Sequence, residues 1–341
     1  MIKELEIQNF RGFGRLKLEN LGRINLLLGG NDTGKTSILE ALVLLLGDGR
    51  AVQTLSTTFR SNQSGIHPQQ SPDDYENFWL WLFREKDPKN QIAISCKTDI
   101  GDSVKLTSKS QVTGSPGTQQ RLLDREYSKR REQVVSLQNG QAVLSAALSS
   151  PHGSSVSCLS VRPTSPVEDA ERYNLVALNP DGERKVEEVM RVIEPRLRRL
   201  RYAKLPGTSS PLVFADLGLA RALPSTQMGQ AFNRVLHIYC EILSQQANLL
   251  LVDEIENGVF TESMPDIWRG LLAICATEDV QIFATTHSRE CVMAALRAAE
   301  EREKDELMVF RLQRVHDEVE AIRLEAKHLE LAAELGLEVR S

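Results

Sequence analysis

The sequence contains few cysteines, and their spacing suits neither metal binding nor cross-linking. Five cysteines occur among the 341 residues, an odd number that is widely scattered and contains no C-x-x-C. Structural zinc sites and disulfide-stapled domains both depend on closely spaced cysteines. We therefore expect reduced thiols buried in the structure, and neither a zinc site nor a disulfide framework.

Long apolar runs and a large excess of one charge are also missing. No stretch approaches the ~20 apolar residues of a membrane-spanning helix, and the N-terminus begins with a strand pattern rather than a leader. These features predict a cytoplasmic chain with no membrane partner. The net charge of -5 provides no overall field that would attract nucleic acid, so any contact with DNA has to be a local basic patch.

What is present is a large apolar content, 41% of the residues, which supports a substantial core. Near the N-terminus, alternation predicts strands over residues 2–10 and 16–18, and a continuous apolar run predicts a buried strand over 24–28. After two glycines, residues 37–46 predict a helix that ends at Gly47. A strand, a glycine-rich loop and a helix in this order are what a phosphate site needs.

The rest of the chain divides into an irregular middle and a second regular part. Residues from about 50 to 170 are rich in Ser, Gln, Gly and Pro, and we expect 51–204 to form an inserted lobe with β-strands and a helical arm, in which 108–119 is disordered. Two buried strands separated by a helix predict a parallel sheet in the last third. The expected elements there are a helix at 181–200 that Pro195 interrupts, helices at 226–246 and 261–276, strands at 248–253 and 280–285, an edge hairpin at 306–310 and 318–324, and a closing helix at 327–337.

The strongest motif is a phosphate-binding loop that runs from Gly29 to Ser37 and contains the full G-x-x-x-x-G-K-T pattern. Its glycines let backbone N–H groups turn toward the phosphates of a nucleotide. Lys35 would add a positive charge, Thr36 would offer its hydroxyl to Mg²⁺, and the following helix points its positive end at the anion. The candidate nucleotide-binding residues of the loop are Gly30, Asn31, Asp32, Thr33, Gly34, Lys35, Thr36 and Ser37.

Two acids, Asp253 and Glu254, follow the buried strand at 248–253. They would lie at the carboxyl edge of the sheet, beside the phosphate loop, where doubly wound sheets bind ligands. Asp253 is then the candidate partner of Thr36 in holding Mg²⁺, and Glu254 the candidate catalytic residue that polarises the attacking water. Acids also follow strands simply because the chain reaches the surface, but the phosphate loop favours the functional interpretation.

His287 follows the next buried strand and is the second candidate catalytic residue. At the same sheet edge as the two acids, its imidazole can reach a γ-phosphate. The competing interpretation is a hydrogen-bonded surface histidine, which is the commoner situation for this residue type. The order of the strands favours the functional interpretation.

Residues 223–230, L-P-S-T-Q-M-G-Q, open the helix predicted at 226–246. Ser225, Thr226 or Gln227 is expected to cap that helix, and Gly229 leaves space for a phosphate or another backbone. The phosphate loop already surrounds its own phosphates. The anion at this second helix start would therefore be a γ-phosphate held by another copy of the chain, with Gln227 and Gly229 as the candidate contacts. The alternative is an ordinary capped helix.

Taken together, these residues resemble the ABC-type ATPase heads of the SMC, RecF and OLD (overcoming lysogenisation defect) proteins, often labelled AAA15 ATPases. The motifs that carry the resemblance are I-Q-N-F-R-G-F at 7–13, the phosphate loop with Asn31, L-V-D-E-I-E-N-G at 251–258 and T-T-H-S at 285–288. The resemblance implies an α/β P-loop NTPase with a mixed sheet and an elaborated antiparallel β lobe. It also implies one head over 1–341, whose nucleotide-binding core is formed by 1–50 and 205–341.

The family also implies roles and partners. Arg11 would lie along the ATP, Glu256 to Gly258 would form the D-loop, and two heads would sandwich two ATPs with Mg²⁺ in a homodimer or a higher even-numbered assembly. The effector would be a separate nuclease or toxin in DNA repair or anti-phage defence, because too little chain follows His287 for the TOPRIM domain of OLD nucleases, and the chain itself would not cut nucleic acid. The Q-loop glutamine stays open among Gln53, Gln63, Gln69 and Gln70.

Two other functions stay open: a scaffold that ATP clamps with little turnover, and, less favoured by the motifs, the ATPase subunit of a transporter. DNA as a further partner rests on two basic segments, which can follow a phosphate backbone. In both segments the alternative, solvated charges that pair with nearby acids, is favoured. The segments contain Arg191, Arg196, Arg198, Arg199, Arg201 and Lys204, and Arg121, Arg125, Lys129, Arg130 and Arg131 at helical spacing.

Overall fold

The computed structural model describes residues 1–48, 80–87, 89–112, 119–128, 130–138, 141–144, 151, 155–159, 165–205, 207, 210–245, 247–300 and 306–324. The strands are β1 Ile2–Phe10, β2 Phe13–Glu19, β3 Ile24–Gly29, β4 Ala93–Thr98, β5 Ser103–Val112, β6 Gln119–Tyr127, β7 Arg130–Gln138, β8 Gln141–Leu144, β9 Val156–Leu159, β10 Arg199–Ala203, β11 Leu212–Asp216, β12 Leu223–Pro224, β13 Leu249–Val252, β14 Gln281–Thr286, β15 Leu307–Val315 and β16 Glu318–Leu324. The α-helices are α1 Lys35–Leu46, α2 Pro166–Ala177, α3 Gly182–Ile193, α4 Gln230–Leu243, α5 Met264–Thr277 and α6 Arg289–Glu300.

Two larger sheets organise the described chain. One is antiparallel, with strand order β2-β1-β4-β5-β6-β7-β8, and the other is mixed, with order β16-β15-β3-β14-β13-β9. In the mixed sheet, β3, β14, β13, β9 and β15 run parallel, and β16 is antiparallel to β15 at the edge. The predicted α/β class with a mixed sheet and an antiparallel β lobe is confirmed.

The helix α1 lies in the core between the two sheets. All its residues except Thr36 are buried, and it shares one hydrophobic cluster with β1, β2, β4 and the facing side of the mixed sheet. Helices α2 to α6 form a second cluster on the other side of that sheet. A helix that is apolar around its whole circumference has to be enclosed in this way. The start of α1 is thereby fixed at the carboxyl edge of β3.

Several predicted boundaries differ from the structure. The helix expected over 181–200 ends at Ile193, two residues before Pro195, which disfavours helical backbone in the residue ahead of it; a strand, β10, follows. Strand β9 falls within the predicted lobe but pairs in parallel with β13 of the mixed sheet. Part of the segment expected to be disordered, 108–112, belongs to β5. The rest of that segment up to 118, the four candidate Q-loop glutamines and the closing helix at 327–337 lie outside the described residues.

Candidate active site

The phosphate loop joins β3 to α1 in a conformation that its glycines permit. Gly34 is the N-terminal cap of α1 and has φ 83°, in the left-handed region. A Cβ on Gly34 would lie 2.5 Å from the ring of Phe13, so only glycine lets the loop sit on this aromatic side chain. Thr33 donates a hydrogen bond of 3.0 Å from its hydroxyl to the Gly30 carbonyl. The loop therefore wraps around the start of α1, with Asn31 and Asp32 on the cleft side.

Lys35 lies in the first turn of α1 and is nearly buried, at 6% exposure. Its Nζ donates to the carbonyls of Gly29 and Gly30, each at 2.8 Å, and lies 3.4 Å from His287 Nδ1. Burial lowers the pKa of the Lys35 ammonium to about 8, against the opposing influence of the Asp253 and Glu254 carboxylates. A cation held this way is directed at the loop, where phosphates would bind.

The predicted metal ligands are in contact. Thr36 Oγ1 donates to Asp253, 3.2 Å from Oδ1 and 3.4 Å from Oδ2. Asp253 directly follows β13 and is 7% exposed, and burial raises its pKa although hydrogen bonds from Thr285 and Thr36 oppose this. A hydroxyl and a carboxylate side by side are the hard oxygen donors that Mg²⁺ prefers beside substrate phosphates. The donor set therefore fits Mg²⁺, and Thr36 and Asp253 would hold it.

Glu254 and His287 face each other at the end of β13 and β14. Glu254 Oε1 lies 3.9 Å from His287 Nε2, and both side chains are more than a third exposed. Glu254 has φ 48°, in the left-handed region, and its N–H donates to Thr285 Oγ1 at 2.8 Å. The backbone N–H of His287 donates to Glu256 Oε1 at 2.8 Å. Strained backbone at this carboxylate is typical of functional sites, and Glu256 holds the backbone of His287 in place.

A buried arginine of α4, which the sequence did not indicate as a site residue, holds the backbone of the two acids. Arg234 is 9% exposed, and its Nη2 donates to the backbone carbonyl of Asp253 and, at 3.4 Å, to that of Glu254. Burial lowers its pKa, which the nearby carboxylates oppose. The signal in the sequence is a cation among the apolar residues of α4, because a buried charge needs partners. Arg234 thus ties α4 to the end of β13.

Arg11 lines the cleft and is held by an acid of α1. Its guanidinium contacts Glu40 through Nε at 3.0 Å and Nη2 at 3.3 Å, and Nη1 donates to the Trp81 carbonyl at 2.9 Å. The Glu40 side chain is fully buried. The sequence offers one clue to this pair, a lone acid inside the apolar run of α1. The cleft has a volume of about 650 Å³, and beside the phosphate loop it is lined by Arg11, Trp81, Lys86, His287 and Arg314.

The other predicted nucleotide contacts, Gln227 and Gly229, are not among the residues that line this cleft. Gln227 ends a 3₁₀ turn at Ser225–Gln227, and α4 begins at Gln230 with Gly229 as its N-terminal cap and no side-chain cap bond. The expected side-chain cap is therefore wrong, because the 3₁₀ turn shifts the helix start. A Cβ added to Gly229 would meet nothing within 4 Å, so this helix start is open.

The basic segment at 191–204 is largely paired with acids. Arg196 contacts Glu194 at 2.9 Å, and Arg191 contacts Glu187 at 3.1 Å. The remaining pairs are Arg199 with Glu183 at 3.8 Å and Arg201 with Asp216 at 3.7 Å. These contacts match the alternative of solvated, paired charges.

The basic segment at 121–131 lies on β6 and β7, so its expected helical spacing is wrong. Arg125 is fully buried and Arg131 pairs with Asp124, while Lys129 is not described. None of the helices in the described part of the chain is long and apolar enough to cross a membrane.

Comparison with solved structures agrees with this architecture. The Smc head domain with an extended coiled coil, bound to the C-terminal domain of ScpA and derived from Pyrococcus furiosus, has a TM-score of 0.54 at 12% identity over 98% of this chain and 99% of that one. An Smc head bound to the C-winged helix domain of ScpA has a TM-score of 0.50 at 13% identity over 97% and 99%. Identities this low establish the fold alone, which is that of these Smc head domains.

Comparison with known sequences supports an ATPase. Residues 1–153 match the family described as AAA ATPase domain, AAA_15. An ATP/GTP phosphatase of Helicobacter pylori is 19% identical over 86% of both chains. The DNA replication and repair protein RecF of Clostridioides difficile is 37% identical over 18% of this chain and 15% of its own length. An uncharacterised protein of Methanocaldococcus jannaschii is 59% identical over 14% of this chain, and the chain covers only 21% of that protein.

Proposed function

We propose that this chain, whose fold is that of an ABC-type ATPase head, is a nucleotide-driven switch. It binds Mg-ATP, pairs head to head with a second copy around two nucleotides, hydrolyses ATP slowly and transmits the change to an effector protein. The observation that carries the proposal is the 3.2 Å contact between Thr36 of the phosphate loop and Asp253 at the end of β13. It joins the candidate phosphate and metal residues in one site.

We propose the following catalytic roles, which the geometry of the site supports. Glu254 accepts the proton of a water that attacks the γ-phosphorus, the bond from that phosphorus to the β–γ bridging oxygen breaks, and ADP leaves. Lys35 neutralises charge on the transferred group. The His287 imidazole lies next to this lysine, with Nδ1 3.4 Å from Lys35 Nζ. Bound Mg²⁺ would supply charge neutralisation of the phosphate oxygens. Glu254 suits the role of proton acceptor because its carboxylate is partly exposed to water beside the site.

Pairing of two heads is proposed from the open start of α4. Within a single chain, Gln227 and Gly229 do not line the cleft. The N-terminus of a helix is nevertheless suited to bind an anion, because its first N–H groups have no partner within the helix. A second copy would present its γ-phosphate there. Gly258 of the D-loop packs on the same helix start, since a Cβ on Gly258 would lie 2.8 Å from Gln230 Cβ. Contacts at α4 are thereby linked to the residues that follow Glu254.

The test uses Glu254→Gln, which keeps the size of the side chain and removes the proton acceptor. We expect turnover to fall by about 10²-fold or more and Mg-ATP to accumulate a dimer, seen by light scattering coupled to gel filtration. Lys35→Ala is the companion variant and should bind no nucleotide. Unchanged turnover in Glu254→Gln, or normal ATP affinity in Lys35→Ala, would refute the proposed roles.

The biological setting is proposed from the relatives. The name of the RecF relative and the ScpA-bound Smc heads support a DNA-related ATPase that works through a protein partner. We propose a separate nuclease or toxin as the effector, in DNA repair or anti-phage defence in the cytoplasm, with duplex DNA as a further partner. Measuring ATP turnover with and without duplex DNA tests the proposal that DNA is a partner. A DNA-acting ATPase should respond, whereas a scaffold that ATP merely clamps should not.

A further inference from the structure

We propose that the groove between the start of α5 and the outer face of α6 is the docking surface for the effector, and that it accepts an acidic, apolar segment of that protein. The inference rests on the proposed function, because it names the surface and the chemistry through which the switch would reach its partner. The α5–α6 groove is lined chiefly by Thr261, Pro265, Arg289, Met293, Ala294 and Arg297.

The floor of the α5–α6 groove is apolar. The groove has a volume of about 320 Å³, and its base is formed by Ala294, at 6% exposure, and the half-buried Met293, which both pack on the core of the helical side. Phe260, next to Thr261 in the chain, is 73% exposed. Methionine and aromatic side chains are enriched where one protein contacts another. An apolar side chain of a partner would therefore find apolar surface in the groove and beside it.

A cation stands at each end of this floor. Arg289 and Arg297 are eight residues apart on α6, about 12 Å along the helix. Neither guanidinium forms an ion pair or a hydrogen bond with a residue in the described part of the chain, whereas Arg196 and Arg191 are paired with acids. A guanidinium can bind a carboxylate through two parallel hydrogen bonds. The groove thus fits a segment in which carboxylates flank apolar side chains.

The same groove is poorly suited to a nucleic acid. Glu290 lines it as well, and the Ser288 hydroxyl donates to this carboxylate at 2.9 Å. A phosphate backbone offers no apolar group to the floor, and a fixed carboxylate repels it. A protein segment can present apolar and acidic side chains together, so these observations favour a protein as the occupant.

Both walls of the α5–α6 groove continue directly from the active site. Thr261 comes three residues after Gly258, and Arg289 two residues after His287. A hydrogen bond of 2.8 Å from the His287 N–H to Glu256 Oε1 joins the two segments. A partner bound to both walls would favour one arrangement of these segments over another. Such a difference in affinity between two arrangements is what lets a partner respond to the nucleotide.

The test uses the full chain and three labelled peptides of twelve residues, and binding is measured by fluorescence anisotropy. The first peptide has glutamates at positions 2 and 10, which match the spacing of Arg289 and Arg297 on α6, and leucines on the same helical face between them. The second has lysines in place of the glutamates, and the third has serines in place of the leucines. We expect the first peptide to bind the natural chain and the other two to bind at least about tenfold more weakly.

Reversal of the two cations assigns that binding to the groove. The double variant Arg289→Glu with Arg297→Glu should weaken the glutamate peptide at least about tenfold and gain affinity for the lysine peptide. Arg15→Glu is the matched control, because it reverses an exposed arginine on β2 of the other large sheet, and it should change neither titration. Basal ATP turnover should be the same in all these chains. A glutamate peptide that fails to bind the natural chain, or that binds the double variant normally, would overturn the groove.

Coupling to the nucleotide is tested in Glu254→Gln, in which ATP should persist. The affinity for the glutamate peptide should differ about fivefold with and without Mg-ATP, and equal affinities would overturn the effector role of the groove. A dimer that forms without ATP, or binding of duplex DNA, would also overturn it if the double variant abolishes either one, because another copy or a nucleic acid would then be the occupant. Peptide titrations without nucleotide do not use the phosphate site. Normal ATP affinity in Lys35→Ala would therefore refute the proposed function and leave the result of those titrations standing.

Discussion

Thr285 Oγ1 donates a hydrogen bond of 2.6 Å to Asp253 Oδ1 and accepts one of 2.8 Å from the backbone N–H of Glu254. One fully buried side chain on β14 thus positions both acids that follow β13. The two strands are parallel neighbours, paired from Leu249 with Gln281 onward, so their carboxyl ends meet at one edge. The candidate metal ligand and the candidate catalytic base are oriented by a neighbouring strand as well as by their own.

Replacing Thr285 by valine keeps the shape and removes this hydrogen bond. We expect Thr285→Val to raise the pKa of Asp253 further, because burial already raises it and the Thr285 hydroxyl opposes that effect. Mg²⁺ affinity in the presence of ATP should fall about fivefold to tenfold, measured as the Mg²⁺ dependence of turnover. Thr277→Val, at the exposed end of α5, is the control. An unchanged Mg²⁺ midpoint would contradict the positioning role.

The buried Lys35 predicts a pH dependence with a definite sign. Its pKa is about 8 in the folded chain against 10.5 for an ordinary lysine, so between these values the unfolded chain binds more protons. The contribution of Lys35 to the free energy of unfolding should then rise with pH across that window. Burial raises the pKa of the five cysteine thiols, which lowers stability at high pH in both chains. The rise is therefore measured as the difference in the free energy of unfolding between the natural chain and Lys35→Met, by urea unfolding at pH 7 to 10. Identical pH slopes for the two chains would show that Lys35 titrates normally.

The same titration affects ligand binding in the opposite direction. The charged ammonium attracts phosphate, so affinity for Mg-tripolyphosphate should decrease as the pH rises above about 8. Calorimetry at several pH values measures this decrease. Lys35→Arg, whose guanidinium stays protonated throughout, should show a flat profile. Any residual decrease in that variant would have to come from another group.

Arg125 caps the phosphate-loop helix at its other end. Its Nη1 donates to the carbonyls of Gly47 at 2.7 Å and Leu45 at 3.4 Å, and its Nη2 pairs with Glu132 at 3.0 Å. Because Arg125 is fully buried, Arg125→Ala should deprive the Gly47 carbonyl and Glu132 Oε2 of their arginine partner and destabilise the chain by about 3 kcal/mol, measured by urea unfolding. Arg131→Ala, which breaks a half-exposed pair with Asp124, should cost under about 1 kcal/mol. Equal effects would refute the cap.

The phosphate loop and the acids could be predicted because each is one contiguous segment at the end of a strand. Gly29 to Ser37 carry their own turn and helix start, and Asp253 follows its buried strand directly. The contacts between them follow from parallel strands sharing an edge. Element type and order were therefore predictable in this part of the chain without knowledge of its partners.

The remaining site residues depend on partners far away in the sequence. Arg11 meets Glu40, Arg234 meets the carbonyl of Asp253, and Trp81 enters the cleft through a segment with no motif. Basic residues four apart, such as Arg121 and Arg125, satisfy the period of a strand as well as that of a helix. The pattern alone could not distinguish a solvated helical face from a strand that buries one of its arginines.

Gly258 packs against the start of α4, and its replacement tests the proposed coupling between this contact and the pairing of two heads. It has φ 77°, and a Cβ would lie 2.8 Å from Gln230 Cβ and 3.4 Å from Ala231 N. Gly101 has φ 84° with nothing within 4 Å of a Cβ, so Gly101→Ala isolates the left-handed penalty of about 1–2 kcal/mol. Gly258→Ala should lower the free energy of unfolding, measured with urea, by more than Gly101→Ala does. It should also weaken the ATP-dependent dimer in a Glu254→Gln background, because the added methyl displaces the helix start that the partner would meet. Equal destabilisation with an intact dimer would show that the D-loop and α4 are not coupled at this contact.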